Sequence, residues 1–323
     1  MLRRRLGDTG LQVSRLGLGT MAWGSDVDEH EAADHLAMFL DAGADLLDTA
    51  AGYGAGASER LIGTLLAGGF DREDVVLATK AGVDRSADGE RTVDVSRRSL
   101  LAQLDRSLAR MGTGHVDLWQ VHRWSEHAPL DETLSALDAA VASGRARYVG
   151  ISNYSGWQTA WAATHQLSAP GRARIASTQV EYSLLQRGIE REVTPAADAF
   201  AIGLLPWAPL GRGVLSGKYR AGTPADSRGA SPVFERYVGE YLTPQASQVV
   251  EAVVRAAEGL DLSPVQVALA WVRDQPGVVA PIIGARTTKQ LRDCLSVEAH
   301  ALPDEILDAL DDVSAPVLSY PEA

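Results

Sequence analysis

A chain of 323 residues, 46% of them hydrophobic, is long for an ordinary single domain but usual for one α/β barrel, and it can bury a large core. Thirty basic against 42 acidic residues leave a net charge of −12, which argues against nucleic-acid or anionic-membrane partners and favours a soluble cytoplasmic protein. The single cysteine, Cys294, excludes an intrachain disulfide, the basic N-terminus lacks the apolar stretch of a signal peptide, and no apolar run approaches the roughly 18 residues of a membrane span.

The elements alternate in type along the chain. Residues 2–15 read as a short β-hairpin turning at Gly7-Asp8-Thr9-Gly10, expected to plug one end of the main fold. A first strand (15–20) precedes an acidic-capped helix over Asp28–Asp41. ADLLDT is the second strand and Ser58–Leu66 the helix after it. VVLATK (75–80) leads to an amphipathic helix over Val95–Met111, with Leu100, Leu101, Leu104 and Leu108 at helical spacing. Strand 116–122 leads to helix 131–143, strand 146–152 to a helix carrying Trp157 and Trp161, and strand 175–182 to helix 190–201. Strand 203–210 is the seventh and 278–284 the eighth, followed by helices from Thr288 and over 303–313. Strand ends near 48, 79, 121, 151, 180 and 207 recur at the interval of a strand–helix unit, which predicts a single (β/α)8 TIM barrel spanning 1–323. The interval from 207 to 283 is more than twice as long. It holds a Gly-rich stretch and a polar segment to about Thr243, then helical patterns over 244–258 and 263–274. Because it follows a strand end, residues 211–243 are read as a lid.

Asp48, Lys80 and His122 fall at the C-terminal ends of the second, third and fourth strands, with Tyr53 on the loop above the second. In a barrel these ends converge on one mouth. A tyrosine, with an ordinary pKa of about 10, can serve as an acid near neutrality. A neighbouring ammonium stabilises its phenolate, a carboxylate keeps that lysine charged and fixed, and a histidine can orient a carbonyl oxygen or share the proton. The set is equipped to protonate a developing alkoxide, but supplies no hydride.

With these residues located, DTAAGYG (48–54), ATK (78–80), VH (121–122), GISNYS (150–155), STQVEYS (177–183), PWAPLGRGVLSGKY (206–219) and PIIGARTTKQL (281–291) together resemble the aldo-keto reductases over nearly the full length. The resemblance implies a barrel that binds NADPH extended, without a Rossmann fold, and reduces a small-molecule carbonyl. No G-x-G-x-x-G follows the first strand. It places the catalytic tetrad on Asp48, Tyr53, Lys80 and His122, with Tyr53 as general acid. Ser152, Asn153 and Gln179 would bond the nicotinamide carboxamide and Trp207 stack on its ring. Thr20, Met21 and Asp48 would line the ribose and nicotinamide side. Pro209, Leu210, Gly211, Gly213 and Lys218 would line the pyrophosphate. Gly284 and Arg286 open the last barrel helix, with Arg286 the candidate for the 2′-phosphate, hence NADPH, and Gln290 reaching the adenine. Cys294 stands where the family usually has Asn. Trp23 and Trp124 would wall the substrate pocket, with Phe234, Tyr237 and Tyr241 also within reach of the mouth. A second reading is a nicotinamide-binding regulatory subunit similar to potassium-channel β-subunits, which carry Asn where this chain has His122. A metal-dependent hydrolase ranks last, for want of an H-x-H at the first strand end.

Overall fold

Eight short parallel strands pair edge to edge until the last meets the first. The computed structural model describes residues 1–85, 91–225, 227–231 and 235–316. In chain order the elements are β1 (Arg3–Arg5), β2 (Gln12–Ser14), β3 (Gly17–Gly19), α1 (Glu29–Asp41), β4 (Leu46–Asp48), α2 (Ala57–Ala67), β5 (Val76–Ala81), β6 (Val83–Arg85) and β7 (Arg91–Val93). There follow α3 (Arg97–Met111), β8 (Val116–Val121), α4 (Leu130–Ala142), β9 (Ala146–Ser152), α5 (Gly156–Leu167), β10 (Ile175–Glu181), α6 (Val193–Ala199) and β11 (Gly203–Trp207). The chain ends through α7 (Glu235–Gly239), α8 (Pro244–Leu260), α9 (Pro264–Arg273), β12 (Ile282–Ile283), α10 (Thr288–Ser296) and α11 (Asp304–Ser314). The closed ring runs β10-β11-β12-β3-β4-β5-β8-β9, which is the (β/α)8 barrel that the strand spacing predicts. Among the described residues no helix is long and apolar enough to cross a membrane.

Two apolar clusters divide the molecule. The larger lies between the strands and the surrounding helices. The smaller fills the N-terminal end of the barrel, where Leu46, Ala78, Leu118, Leu205 and Ile282 meet Leu6 and Val13 of the β1–β2 hairpin. The hairpin is therefore the expected plug. Side chains two residues apart share a face of a strand. Leu46 is followed on its face by Asp48, Ala78 by Lys80, Leu118 by Gln120 and His122, and Leu205 by Trp207. The inward face of the barrel is thus apolar at the bottom and polar at the mouth.

Helix ends follow their local sequence. Ser155 and Ser263 form capping boxes with Gln158 and Gln266, and Thr243 caps α8 before Pro244. Ser96 accepts from the Ser99 N–H, so α3 starts at Arg97 rather than at Val95. α6 is shorter than expected, after a 3-10 turn over Gly188–Glu190. Of the 278–284 run, only Ile282–Ile283 pair as a strand; Pro281 has no N–H to give the ladder. The antiparallel β6–β7 pair lies between the third strand and its helix, where the sequence pattern assigns no element. It packs beside the Tyr53 turn, and a Cβ on Gly52 would lie 2.8 Å from the Val83 carbonyl oxygen.

Gly150 of β9 is a second enforced glycine. A Cβ there would lie 2.3 Å from Ser177 Oγ and 2.9 Å from the Ser177 carbonyl. Gly150→Ala is expected to cost about 1–3 kcal/mol through overpacking inside the barrel, read as a lower denaturation midpoint with an unchanged slope.

Candidate active site

Lys80 is the centre of the mouth. It sits on the inward face of β5, is fully buried, and donates to Asp48 Oδ2 at 2.7 Å and to the Thr49 carbonyl at 2.9 Å. Its Nζ is 3.5 Å from Tyr53 Oη. Asp48, at the end of β4, uses its other oxygen to accept from Gln179 Nε2 at 2.9 Å, across the barrel. The Tyr53 and His122 rings meet edge to face, with centroids 6.0 Å apart. The four residues expected at the mouth do converge there.

Buried residues hold the Tyr53 turn. Gly54, Ala55 and Gly56 all have positive φ, which lets the chain reverse directly into α2. Ser58, in the first turn of that helix, bonds the Thr20 carbonyl and pairs with the hydroxyls of Thr20 and Thr49. Glu59 accepts from Thr79 Oγ1 at 2.6 Å and from Arg110 Nε at 2.7 Å. Glu59 is buried, and its pairing ties the turn to the residue preceding Lys80. Sequence reading takes Ser58 and Glu59 only as a helix start; their unusual burial carries no local signal.

The electrostatics separate the roles of the groups. Burial raises the Tyr53 pKa above the ordinary phenol value; Lys80 pulls it down, Asp48 pushes it up, and the net direction is up. The expected lowering by lysine is present but outweighed. Burial alone would lower the Lys80 pKa, but Asp48 and Tyr53 outweigh it and the ammonium is held charged. Burial, aided by the positive charges of Lys80, Arg91 and Arg123, holds His122 well below the usual histidine range. At neutral pH its imidazole is uncharged. It can donate one hydrogen bond but has no spare proton to share.

The carboxamide group of residues is linked in a chain. Trp207 Nε1 donates to Asn153 Oδ1 at 3.0 Å, and Asn153 Nδ2 donates to the His122 carbonyl and to Ser152 Oγ, both at 3.0 Å. Ser152 Oγ donates to the Gln179 carbonyl at 2.8 Å. Gln179 spends one amide hydrogen on Asp48, and its side-chain oxygen makes no hydrogen bond among the described residues. Asn153 adopts φ 57°, which Asn tolerates better than most residues.

Beyond β11 the backbone turns through Pro209 and Leu210 into Gly211 and Gly213, at φ 54° and 92°. A Cβ on Gly213 would lie 3.3 Å from Lys218 Nζ. Arg212, between the two glycines, makes a bidentate pair with Glu181 at 2.9 Å for each bond. Its guanidinium lies 3.8 Å from the Tyr237 ring centroid and 4.7 Å from that of Tyr241. Those two tyrosines are thus engaged with Arg212, and Tyr241 Oη also donates to Glu181. The Arg212–Glu181 clamp has no counterpart in the sequence reading. Phe234 lies outside the described residues.

The remaining candidates divide. Thr20 is buried and donates to the Asp48 carbonyl, whereas Met21 is exposed. Trp23 is 1% exposed and packs in the main core, so it presents almost no surface to a ligand. Trp124 meets Tyr154 edge to face at 5.2 Å and Trp157 at 5.4 Å. Gly284 is exposed, and the Arg286 N–H donates to Gln290 Oε1 at 2.9 Å. Cys294 faces the core, where burial pushes its thiol up to about 12; it is an inert packing group, and Asp293 accepts from Ser263.

Comparison with known proteins agrees with this geometry. Residues 15–315 match the sequence profile of the Aldo/keto reductase family. An uncharacterized oxidoreductase, YrpG, of Bacillus subtilis is 38% identical, over 95% of this chain and 94% of its own. A probable voltage-gated potassium channel subunit beta of Oryza sativa is 31% identical over 100% and 98%. Protein tas of Escherichia coli is 32% identical over 99% of both chains. The matched span runs from before β3 to beyond α11 and takes in every barrel strand, and on that extent the chain belongs to the aldo/keto reductase family of oxidoreductases.

Proposed function

We propose that this chain reduces an aldehyde or ketone to the alcohol with NADPH, Tyr53 donating the proton. The observation that carries the reading is the buried Asp48–Lys80–Tyr53 series beside an uncharged His122. Aldo-keto reductases generally use a nicotinamide dinucleotide. This chain's residues fit one. Gln179 keeps a free amide oxygen for the carboxamide, flanked by Ser152 and Asn153. Gly213, with Lys218 alongside, leaves the backbone approachable by a pyrophosphate, and Gly211 before it packs against Leu185. Trp207, held by Asn153, offers a ring to stack on, and Arg286 a cation for a 2′-phosphate.

The bound nicotinamide supplies the hydride. The protein's part is to hold and move a proton. The carbonyl oxygen lies between Tyr53 Oη and the His122 ring, which orients it. Tyr53 gives up its proton as charge develops on that oxygen, and the adjacent ammonium of Lys80 stabilises the phenolate left behind. Asp48 keeps Lys80 charged and aimed. Trp124, with Tyr154 and Trp157, supplies an apolar wall, and the described part of the 211–243 segment, where Arg212 holds Tyr237 and Glu240, acts as the lid.

The likeness to the rice channel subunit brings in a second reading, a nicotinamide-binding regulatory subunit. His122 and the complete tetrad favour an enzyme, and turnover of a carbonyl panel separates the two.

Tyr53→Phe is expected to keep coenzyme binding and to lose about 10²–10⁴-fold in reduction rate; equal turnover by variant and parent sinks the assignment. The proton donor is the protonated phenol, whose pKa is raised, and His122 is already neutral. Reduction should therefore stay flat through neutral pH and fall only as pH rises above about 10, measured as kcat against pH. Asp48→Asn strands a buried ammonium and is expected to cost about 3–5 kcal/mol, seen in denaturant unfolding together with a loss of turnover.

A further inference from the structure

The start of α10 carries its own anion. Three of the amides there are engaged by side-chain oxygens of this chain. The Arg286 N–H donates to Gln290 Oε1 and the Gln290 N–H to Thr287 Oγ1. The Thr288 N–H, at the first helical residue, donates to the carboxylate of Glu31. That oxygen comes from the facing helix, α1. Asp28 caps the Glu31 amide, and a ring nitrogen of buried His35 lies 3.1 Å from the same carboxylate oxygen, close but not aligned as a hydrogen bond. Glu31 is thus fixed at the positive end of α10 while 32% of its side chain stays open to solvent.

A carboxylate in this position answers a sugar hydroxyl and a phosphate in opposite ways. A hydroxyl can donate to it. A phosphate must displace it from the Thr288 amide or sit beside a like charge. Acidic residues on unrelated dinucleotide folds discriminate by the same chemistry, accepting from a free ribose 2′-hydroxyl. Arg286 pulls the other way, toward a phosphate.

We infer that Glu31 is a coenzyme-specificity residue: its carboxylate opposes a 2′-phosphate and accepts from a free 2′-hydroxyl, so the protein takes NADH alongside NADPH. The inference rests on the reading above that the start of α10 receives the coenzyme's adenosine ribose.

The test titrates the purified full chain with NADPH and NADH by protein fluorescence, then with 2′,5′-ADP and 5′-AMP, which report the adenosine end alone. The parent should bind the two coenzymes within about tenfold of each other, and Glu31→Gln should tighten NADPH by about five- to twentyfold while moving NADH by no more than about twofold. Gln keeps an oxygen for the Thr288 amide, so the α1–α10 contact survives. Thr288→Pro is the second variant and removes the donor that holds the carboxylate. Thr287 is extended, at φ −138° and ψ 151°, and the first helical position accepts proline, so α10 should still form. It should shift preference toward NADPH as well. A parent preference for NADPH beyond about a hundredfold overturns the inference, as does a Glu31→Gln protein in which both coenzymes and both fragments move together. Failure of the parent to bind either dinucleotide overturns the coenzyme reading itself, and this inference with it.

Discussion

A lysine ammonium with no solvent contact has to be matched by charge and hydrogen bonds or lose its proton. Lys80 is matched by the Asp48 carboxylate at 2.7 Å and the Thr49 carbonyl at 2.9 Å, and much of the mouth is arranged around that requirement. Asp48 is in turn fixed by Gln179 from across the barrel. Thr49 is fixed through Ser58, which also reaches Thr20. Strands β3, β4, β5 and β10 are thereby joined at their C-terminal ends by polar contacts centred on one cation.

That cation also sets the states of its neighbours. It keeps positive charge off His122, already disfavoured by burial, and it offsets part of the burial penalty on the Tyr53 phenolate. For the proposed reduction, a protonated phenol and a neutral imidazole supply one donor able to give up a proton and one that only orients. Those protonation states follow from placing three ionisable groups around one buried charge.

The barrel can tolerate this polar layer because the rest of its interior is apolar. Leu6 and Val13 close the bottom beneath Leu46, Ala78 and Leu118, so the inward faces of β4, β5 and β8 are polar only where they approach the mouth. Backbone strain collects there too. Of the non-glycine residues with positive φ, Ala55, Asn153, Ala208 and Arg212 stand on loops that follow barrel strands. Asn153 is held by its bonds to Ser152 and the His122 carbonyl, and Arg212 by its pair with Glu181.

The sequence by itself determined the barrel and the membership of the mouth. Strand and helix periodicities are local, and Asp48, Lys80 and His122 are legible because each ends an apolar run whose inward face is fixed by the two-residue alternation. Only the tertiary structure decided who pairs with whom. Gln179 with Asp48, Arg212 with Glu181 and Glu31 with the Thr288 amide join residues far apart in the chain, and such contacts leave no periodic trace. The same holds for burial: Trp23 reads as a wall beside a strand end, yet packing draws it into the core, and Ser58 and Glu59 read only as a helix start, yet they are buried and anchor the tyrosine turn. Residue type and spacing set which chemistry can assemble; burial and charge at the assembled mouth set which protons those groups keep.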